Sequence, residues 1–471
     1  MGKRAKILCT IGPASSGSKK ISAMIKAGMD AARLNFSHGT HKDHEGYVRT
    51  IRRMAAALNK PVAILQDLQG IKIRIGEVTG GELKFKAGRT IELRAGKKRS
   101  TVELLYINYP HLMRDLKKGD RVLIDDGLIQ LKITGRSENS LKAHIIDGGT
   151  ITSRKGVNLP DSIIRTSSLT PKDRKDLSLG ISLSVDYVAV SFVRSAEDIK
   201  KVKRYIRKNG ACIPVIAKIE KRDALDNLDE ILKEADGIMI ARGDLGVEMS
   251  AEEVPIVQKE LISRANIEGK IVITATQMLE SMTRFRRPTR AEAADVANAV
   301  IDGSDAVMLS AETSSGKYPI ESVAMMSKVI EYAERHVKKW EVRHDDETVL
   351  KDHPYAVAGA ATKASHDIGA RVIVAFTDSG YTARLVSKFR PPMPIVAFSS
   401  EKSIINMMNL CWGVEPYYMT RLRHTDEMIE MVESFLKDTG YVKKGDTITV
   451  IASSPLCVRG KTNLMKLHNI S

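Results

Sequence analysis

Short apolar runs recur along the first two thirds of the chain, and each ends at polar residues. Eight such runs occur, within AKILCTI, AARLNF, PVAILQD, DYVAVSF, PVIAKI, GIMIARG, KIVITAT and DAVMLSA. They are too short for helices and are typical of strands buried on both faces. Most of the segments between them carry helical signals, such as the capping box Thr289-Arg-Ala-Glu292, which predicts a helix running through Val300.

Eight β/α units predict a TIM (β/α)8 barrel, in which the active site lies at the carboxyl ends of the strands. A doubly wound sheet is the alternative, but polar candidates after nearly every strand favour closure. A chain of 471 residues also exceeds one compact core. We assign residues 1–70 and 156–340 to the catalytic barrel.

Between residues 71 and 155 the pattern changes to period-two alternation with Gly and Asp-Gly turns, as in RVLIDDGLIQLKITG. This pattern predicts a small antiparallel β domain, a β-barrel lid inserted after the third barrel strand, with Gly70 and Gly156 near its hinges. An insertion at the carboxyl end of a strand overhangs the active site and can close over it.

The remaining chain predicts a linker and a third domain. Residues 341–353 are charged and lack apolar periodicity, which indicates a linker. Residues 354–471 alternate helices with the strand candidates ARVIVAF, PIVAFS, VEPYYM and DTITVIA. This alternation predicts a C-terminal doubly wound α/β domain.

Composition excludes several classes of protein. With 43% hydrophobic and 28% charged residues the chain is ordinary globular material, and no apolar run approaches the ~20 residues of a membrane span. Four scattered cysteines, Cys9, Cys212, Cys411 and Cys457, indicate free thiols in a cytoplasmic protein. We expect no membrane contact.

The net charge of +17 has two readings. A nucleic-acid binder would concentrate basic residues among aromatic ones, whereas here Lys and Arg are spread along the chain and only 5% of residues are aromatic. We therefore expect no nucleic-acid partner. Exposed helix faces account for most of the charge, and a polyphosphate substrate would account for a basic cleft.

The segments AKIE and ARGDLG place Lys218, Glu220 and Asp244 just past two neighbouring strands. Two hard oxygen ligands that leave positions for substrate and water suit Mg²⁺. The alternative is a salt bridge of the carboxylates with Lys218 at the end of the barrel. Gly243 and Asp244 begin a short helix whose N–H groups could hold a substrate carboxylate.

Other strand ends carry further candidates. After the second strand, RLNFSHG presents Arg33, Asn35, Ser37 and His38, and Asp67 ends the third strand. Arg33 offers a bidentate fork for phosphate or carboxylate, whereas we expect His38 to fix its loop. Each residue alone is best explained structurally, but their recurrence at successive strand ends indicates a site.

The seventh and eighth strands add three polar residues. Thr276 ends the seventh strand, and Ser310 and Glu312 follow the eighth. The Thr276 hydroxyl has two readings, because it could serve the site or cap the end of its strand.

Long motifs then suggest a family. In order along the chain are TIGPAS, RLNFSHG, AKIEKRDAL, ARGDLGVE, TATQMLESM and LSAETSSGKYP. Over nearly its whole length the chain resembles the pyruvate kinases. The resemblance implies transfer of a phosphoryl group from phosphoenolpyruvate to ADP in glycolysis, giving pyruvate and ATP, by a homotetramer with these three domains.

The resemblance also implies roles for matched residues. Lys218 would stabilise the transferring phosphoryl group and the enolate oxygen, and Arg33 would clamp the substrate phosphate. Glu220 and Asp244 would hold Mg²⁺ or Mn²⁺, with the N–H groups of Gly243 and Asp244 on the substrate carboxylate. The transition state of phosphoryl transfer requires charge neutralisation and alignment rather than a nucleophilic side chain.

Three further roles follow from the same resemblance. Thr276 would lie beside the enolate, and Arg74 with Lys155 from the lid would reach the nucleotide phosphates. Proton delivery to the enolate carbon would use a water or hydroxyl chain near Thr276, Ser310 and Glu312.

One departure from the family pattern concerns a monovalent ion. Where the common pattern is Thr-Lys-Gly-Pro-Glu-Ile-Arg-Thr, this chain has LQGIKIRI, so Lys72 replaces Glu. The usual enzymes hold K⁺ among residues matching Asn35, Ser37, Asp67 and the carbonyl of Leu68. Because a tethered ammonium can supply the same charge, we predict activity without added potassium. The alternative is a lid-hinge substitution without effect on ion demand.

The third domain carries a candidate effector site. The segment from Thr377 to Arg384 follows a strand and opens a helix, which suits a phosphate group of a sugar phosphate or nucleotide. A plain N-cap explains the same residues.

Two other functions remain open from the sequence. One is a metal-dependent lyase or aldolase, in which the lid, Arg74 and Lys155 would have no role. The other is a catalytically silent sensor of phosphorylated metabolites, which would have no use for transition-state groups.

Overall fold

The computed structural model describes residues 2–162, 164, 166, 168–337, 353–420, 424–453 and 462–471. Apart from His353, the predicted linker at 341–353 lies outside the described residues, as does Cys457. The strands are β1 Lys6–Thr10, β2 Ala31–Asn35, β3 Ala63–Asp67, β4 Glu82–Phe85, β5 Thr90–Ala95, β6 Leu104–Ile107, β7 Arg121–Ile124, β8 Ile129–Arg136, β9 Leu141–Asp147, β10 Gly149–Thr152, β11 Val157–Asn158, β12 Tyr187–Val190, β13 Val215–Ile219, β14 Gly237–Ala241, β15 Ile271–Ala275, β16 Ala306–Leu309, β17 Val372–Phe376, β18 Ile395–Ser399, β19 Val414–Tyr418, β20 Thr447–Ser453 and β21 Thr462–Asn469.

The helices, in the same order, are α1 Ser18–Ala27, α2 His41–Ala57, α3 Leu112–Asp115, α4 Pro171–Ser182, α5 Ala196–Lys208, α6 Arg222–Asp226, α7 Leu228–Glu234, α8 Arg242–Glu248, α9 Val254–Ile267, α10 Arg290–Ile301, α11 Ala311–Ser314, α12 Pro319–His336, α13 His353–Asp367, α14 Tyr381–Lys388, α15 Lys402–Met408 and α16 Thr425–Asp438. A 3-10 turn spans Glu280–Thr283. Within the described chain, no helix has the length and apolar character needed to cross a membrane.

A closed barrel forms the centre of the molecule. Its order is β1-β16-β15-β14-β13-β12-β3-β2, and every neighbouring pair is parallel. Each of the eight predicted apolar runs contains one of these strands, which confirms the barrel over the doubly wound alternative. The strands are buried almost throughout because side chains fill the interior and helices cover the outside.

The capping box predicted at Thr289 is present. The Thr289 hydroxyl accepts the Glu292 N–H at 3.2 Å, and the Glu292 carboxylate accepts the Thr289 N–H at 2.7 Å. Helix α10 therefore begins at Arg290 and ends at Ile301, one residue beyond the predicted Val300.

The segment between β3 and α4 folds on a core of its own, whose buried residues lie between Ile73 and Ile164. It contains a six-stranded sheet, β11-β7-β8-β9-β5-β6, and a two-stranded sheet, β10-β4. The predicted antiparallel pairing holds except between β5 and β6, which are parallel. The connection between them includes no helix, and the short helix α3 follows β6; its four residues are too few to produce a helical period in the sequence.

The C-terminal domain has the sheet order β19-β18-β17-β20-β21. The four predicted strands are parallel, whereas β21 pairs antiparallel with β20 and was not predicted. Its sequence TNLMKLHN begins with a buried residue and then alternates between exposed and partly buried residues, as expected for an edge strand. This domain packs against the barrel, where Lys388 and Arg390 reach Asp305 just before β16.

Candidate active site

Lys218 is the centre of a buried charged cluster at the carboxyl ends of the barrel strands. Its Nζ lies 2.7 Å from Glu220 Oε1 and 3.3 Å from Asp67 Oδ1, and it donates to Ser191 Oγ at 2.9 Å. Three strands, β3, β12 and β13, thus deliver side chains to one amine. This arrangement contains the salt bridge between Lys218 and Glu220 that was the alternative to a metal site. Whether Glu220 can also bind a metal ion depends on the charges around its carboxylate.

Arg33 joins this cluster through Asp67. Its Nε and Nη2 lie 2.7 and 2.6 Å from Asp67 Oδ2, and its Nη1 donates to Thr10 Oγ1 at 3.0 Å. Burial alone would raise the pKa of Asp67, but Lys218 and Arg33 outweigh burial and hold that pKa below its ordinary value. Asp67 therefore stays ionised and orients both cations.

Glu220 is less well compensated than Asp67. Its Oε2 accepts the Phe192 N–H at 2.6 Å, and its other oxygen faces Lys218. Burial, with repulsion from Asp244, raises the pKa of Glu220 to about 7 despite the attraction of Lys218. For Lys218, burial lowers the pKa, but Asp67 and Glu220 more than offset this and raise it above the ordinary value. Lys218 is therefore a permanent cation.

Glu220 and Asp244 fit a divalent cation. Asp244 lies in the first turn of α8 and is close enough to Glu220 to raise its pKa. A bound dication would offset that repulsion, because it adds positive charge where two carboxylates meet. The described residues contain no cluster of three or more His, Cys, Asp or Glu able to hold a metal ion. Two protein ligands leave coordination positions for substrate and water.

Thr276 connects the end of β15 to the start of α8. Its Oγ1 accepts the Gly243 N–H at 2.8 Å and donates to the Ala275 carbonyl at 2.6 Å. This hydroxyl therefore has the backbone contacts of a strand-end cap. The Gly243 N–H, predicted to bind a substrate carboxylate, is directed to Thr276 and would have to be shared with or released to a ligand.

Ser310 and Glu312 differ in their availability. The Glu312 carboxylate accepts the N–H groups of Leu279 at 3.0 Å and Ser310 at 2.7 Å, and burial raises its pKa. These contacts make Glu312 a cap for two backbone segments. By contrast, Ser310 Oγ is buried and has no hydrogen-bond partner among the described residues.

Arg74 and Lys155 lie where the inserted domain meets the barrel, and both have partners within that domain. Arg74 Nη1 donates to the Arg154 carbonyl at 2.5 Å, and Lys155 Nζ lies 2.8 Å from Asp125. Nearby, a cavity of about 170 Å³ is lined by residues of both the inserted domain and the barrel. Its lining includes Lys72, Asp126, Asn158, Phe192, Lys221 and Asp244.

Two of the oxygen atoms predicted to bind a monovalent ion accept hydrogen bonds from neighbouring residues. Asn35 Oδ1 accepts the Ser37 N–H at 3.1 Å, and the Leu68 carbonyl accepts Ser191 Oγ–H at 2.6 Å. Lys72 is half-buried; burial and Arg74 lower its pKa, whereas Asp244 opposes this. The Lys72 ammonium therefore interacts electrostatically with Asp244.

The pKa of His38 is affected by Lys72 and by other cations of the site. Burial lowers the pKa of His38, and Lys72, Arg74 and Arg33 lower it further. The His38 backbone carbonyl accepts His44 Nε2–H at 3.0 Å, a contact that does not involve the His38 ring. The role of the His38 side chain in fixing its loop stays a prediction.

Several residues of this site were not singled out from the sequence. They are Thr10, Ser191, Phe192 and Arg242. Each lies at the carboxyl end of a barrel strand, so the rule that found Asp67 would have reached them. Phe192 was hidden because it contributes its backbone N–H, at a φ of +54° that its residue type does not suggest.

Comparison with known proteins places the chain. The family model described as pyruvate kinase, barrel domain, matches residues 2–323, and that of the pyruvate kinase alpha/beta domain matches residues 355–468. The chain belongs to the pyruvate kinase family. It is thus an enzyme of the phosphotransferase class, as the motifs predicted.

Individual pyruvate kinases agree over the full length. Those of Geobacillus stearothermophilus and Mycobacterium tuberculosis are each 40% identical to this chain, covering 100% of it and 81% and 99% of the respective relatives. A crystal structure of a pyruvate kinase from Cryptosporidium parvum matches with a TM-score of 0.95 at 35% identity, over 100% of this chain and 96% of that one.

Proposed function

We propose that this protein transfers the phosphoryl group of phosphoenolpyruvate to ADP, giving pyruvate and ATP. The observation that carries the proposal is the cluster of Lys218, Arg33, Asp67 and Glu220 at one end of the barrel, with Asp244 beside it. A loose phosphoryl-transfer transition state needs fixed positive charge and alignment, and this cluster supplies both.

Two cations act on the substrate. Arg33 and Lys218 are both held by Asp67, so their orientation is set before substrate binds. Arg33 clamps the phosphate, while Lys218 stabilises the transferring group and the enolate oxygen. Because its pKa is raised, Lys218 keeps its charge over the physiological pH range. Preorganised charge of this kind costs no reorganisation during the reaction.

Glu220 and Asp244 would hold Mg²⁺ or Mn²⁺. When bound, the ion supplies charge neutralisation at the substrate carboxylate and phosphate. The N–H groups of Gly243 and Asp244 orient that carboxylate, for which the Gly243 N–H must give up its contact with Thr276 Oγ1. The protein thus exchanges one internal hydrogen bond for a substrate contact.

The enolate and the nucleotide are served by different residues. Thr276 lies beside the enolate, and the free hydroxyl of Ser310 is the better proton relay because Glu312 is occupied with backbone N–H groups. Arg74 and Lys155 bind the nucleotide phosphates after leaving the Arg154 carbonyl and Asp125.

Activity is independent of potassium in this proposal. The Lys72 ammonium acts electrostatically on Asp244, and the Leu68 carbonyl is bonded to Ser191. Turnover with Mg²⁺ in a sodium- and potassium-free buffer should equal turnover with added potassium. Lys72→Glu should create a potassium requirement. Full dependence of the wild type on potassium would leave Lys72 as a hinge substitution without effect on ion demand.

An effector and a homotetramer complete the proposal. Gly380, at φ +79°, precedes α14, and Ser379 Oγ accepts the Tyr381 N–H at 3.4 Å. The Thr382 hydroxyl is bonded to Thr462, so the phosphate of a sugar phosphate or nucleotide would rely on Thr377, Ser379 and the turn. Flat phosphoenolpyruvate saturation curves with every candidate effector would leave this segment as an N-cap. Analytical ultracentrifugation tests the tetramer.

The decisive assay measures pyruvate formed from phosphoenolpyruvate with and without ADP. A pyruvate kinase requires ADP and produces ATP in equal amount. Pyruvate formation without ADP would favour the lyase or aldolase, and binding of phosphoenolpyruvate without turnover would favour the sensor.

A further inference from the structure

The turn after β15 is strained at two successive residues. Thr276 has a φ of +71° and Gln277 a φ of +54°. A left-handed conformation is unfavourable for any residue with a Cβ and is a true outlier for a β-branched residue such as Thr. Such strain persists only where surrounding contacts impose it, and it is concentrated at functional sites.

Arg242 supplies those contacts. Its Nη2 donates to the Thr276 carbonyl at 2.7 Å and to the Gln277 carbonyl at 3.3 Å, and its Nε also reaches the Thr276 carbonyl at 3.3 Å. The same guanidinium donates to the sulfur of Met278 at 2.9 Å. One side chain thus bonds three successive residues of the turn.

Arg242 is itself held from the outer helices. Its Nη1 lies 2.6 Å from Asp295 on α10 and donates to Gln258 on α9 at 3.4 Å. The side chain is only 10% exposed. A planar guanidinium with five donors can bond the turn along one edge and a carboxylate along the other, which a lysine ammonium on a flexible stem does poorly.

We propose that Arg242 is a positioning residue that holds the Thr276–Gln277 turn in its left-handed conformation and so aims the Thr276 hydroxyl at the substrate. The next residue, Gly243, bonds that hydroxyl through its N–H. Before substrate binds, the carbonyl and the hydroxyl of Thr276 are therefore both fixed from the start of α8. Once the Gly243 N–H passes to the substrate carboxylate, the contacts of Arg242 with the Thr276 carbonyl remain. The inference rests on the proposed role of Thr276 in phosphoryl transfer.

The test is a rescue experiment. Arg242→Ala should lower kcat about 100-fold with little change in the KM for phosphoenolpyruvate, because misalignment by about 1 Å affects the transition state more than ground-state binding. Arg242→Lys should lose less. Gln277→Gly should restore part of kcat in the Arg242→Ala protein, because glycine adopts positive φ at little cost.

Arg52→Ala is the matched control. Arg52 also bonds carbonyls and a carboxylate, those of Val62, Ser184 and Asp186, but near the opposite end of the barrel. It should reduce thermal stability and leave kcat unchanged. A loss of kcat in the control equal to that of Arg242→Ala would show a general folding defect and overturn the inference.

The other outcomes are also distinct. Wild-type kcat in Arg242→Ala, or a loss that Gln277→Gly does not relieve, would overturn the inference. If Arg242→Ala fails to fold, Arg242→Lys with and without Gln277→Gly provides the same comparison. Failure of the wild type to form pyruvate from phosphoenolpyruvate and ADP would instead refute the proposed function.

Discussion

Both ends of the barrel bury carboxylates beside basic side chains, but the pKa of the buried carboxyl group is lowered at the amino end and raised at the carboxyl end. At the amino end, Asp305 contacts Lys388 and Arg390 and accepts the Val272 N–H at 2.8 Å. Burial would raise the pKa of Asp305, but the two cations outweigh it and hold the pKa below its ordinary value. At the carboxyl end, the pKa of Glu220 is raised to about 7.

This difference distinguishes a structural cluster from a site prepared for a ligand. One carboxylate between two cations, with Arg390 packed 4.8 Å from the centre of the Trp412 ring, holds the C-terminal domain on the barrel. The pKa of Glu220 is raised by burial and by repulsion from a second acid, Asp244, and the attraction of Lys218 does not offset this. In the proposed function, Mg²⁺ or Mn²⁺ held by Glu220 and Asp244 would supply the positive charge that this end of the barrel lacks.

The largest expected effect is a difference in kcat between variants of Lys218, at the carboxyl end of the barrel, and of Lys388, at the amino end. Lys218→Ala should lower kcat by at least about 100-fold, because it removes preorganised positive charge from the transition state. Lys388→Ala should leave kcat per folded molecule unchanged and lower the free energy of unfolding by about 3–5 kcal/mol, because it breaks a buried pair. Steady-state kinetics measure kcat, and urea unfolding measures the free energy of unfolding. An equal loss of kcat in both variants would contradict the difference between the two ends of the barrel.

A smaller effect concerns pH. The folded-state pKa of Glu220, about 7, exceeds its ordinary value of 4.5, so between these values the folded protein holds a proton that the unfolded chain has released. This group therefore reduces metal-free stability as pH rises from 4.5 to 7. The Tm of Glu220→Gln relative to wild type should increase over that range and then level off. Differential scanning calorimetry with chelator would reveal a flat or falling difference if the assignment is wrong.

The smallest effect is expected from Arg390→Lys. The substitution keeps the charge beside Asp305 and loses the planar contact with Trp412. We expect a loss of about 0.5–2 kcal/mol in the free energy of unfolding and no change in kcat. Reduced kcat would mean that the amino-end cluster communicates with the active site.

The sequence was informative where burial and chain order determine position. Eight apolar runs predicted eight barrel strands, and because parallel strands end at one face, Lys218, Glu220 and Asp67 could be expected together there. Contacts made by backbone groups carry no residue signature, so the Phe192 N–H on Glu220 and the left-handed turn at Thr276 were not predicted. Glu312 stays a predicted relay residue, and its bonds to two backbone N–H groups could not be predicted, because composition does not show which carboxylates cap a backbone.

Binding of Mn²⁺ followed by electron paramagnetic resonance tests the central claim most directly. If Glu220 and Asp244 share one dication, the wild type and Lys388→Ala should bind it alike, and Glu220→Gln and Asp244→Asn should each weaken binding severely. Wild-type affinity for Mn²⁺ in either carboxylate variant would contradict the account.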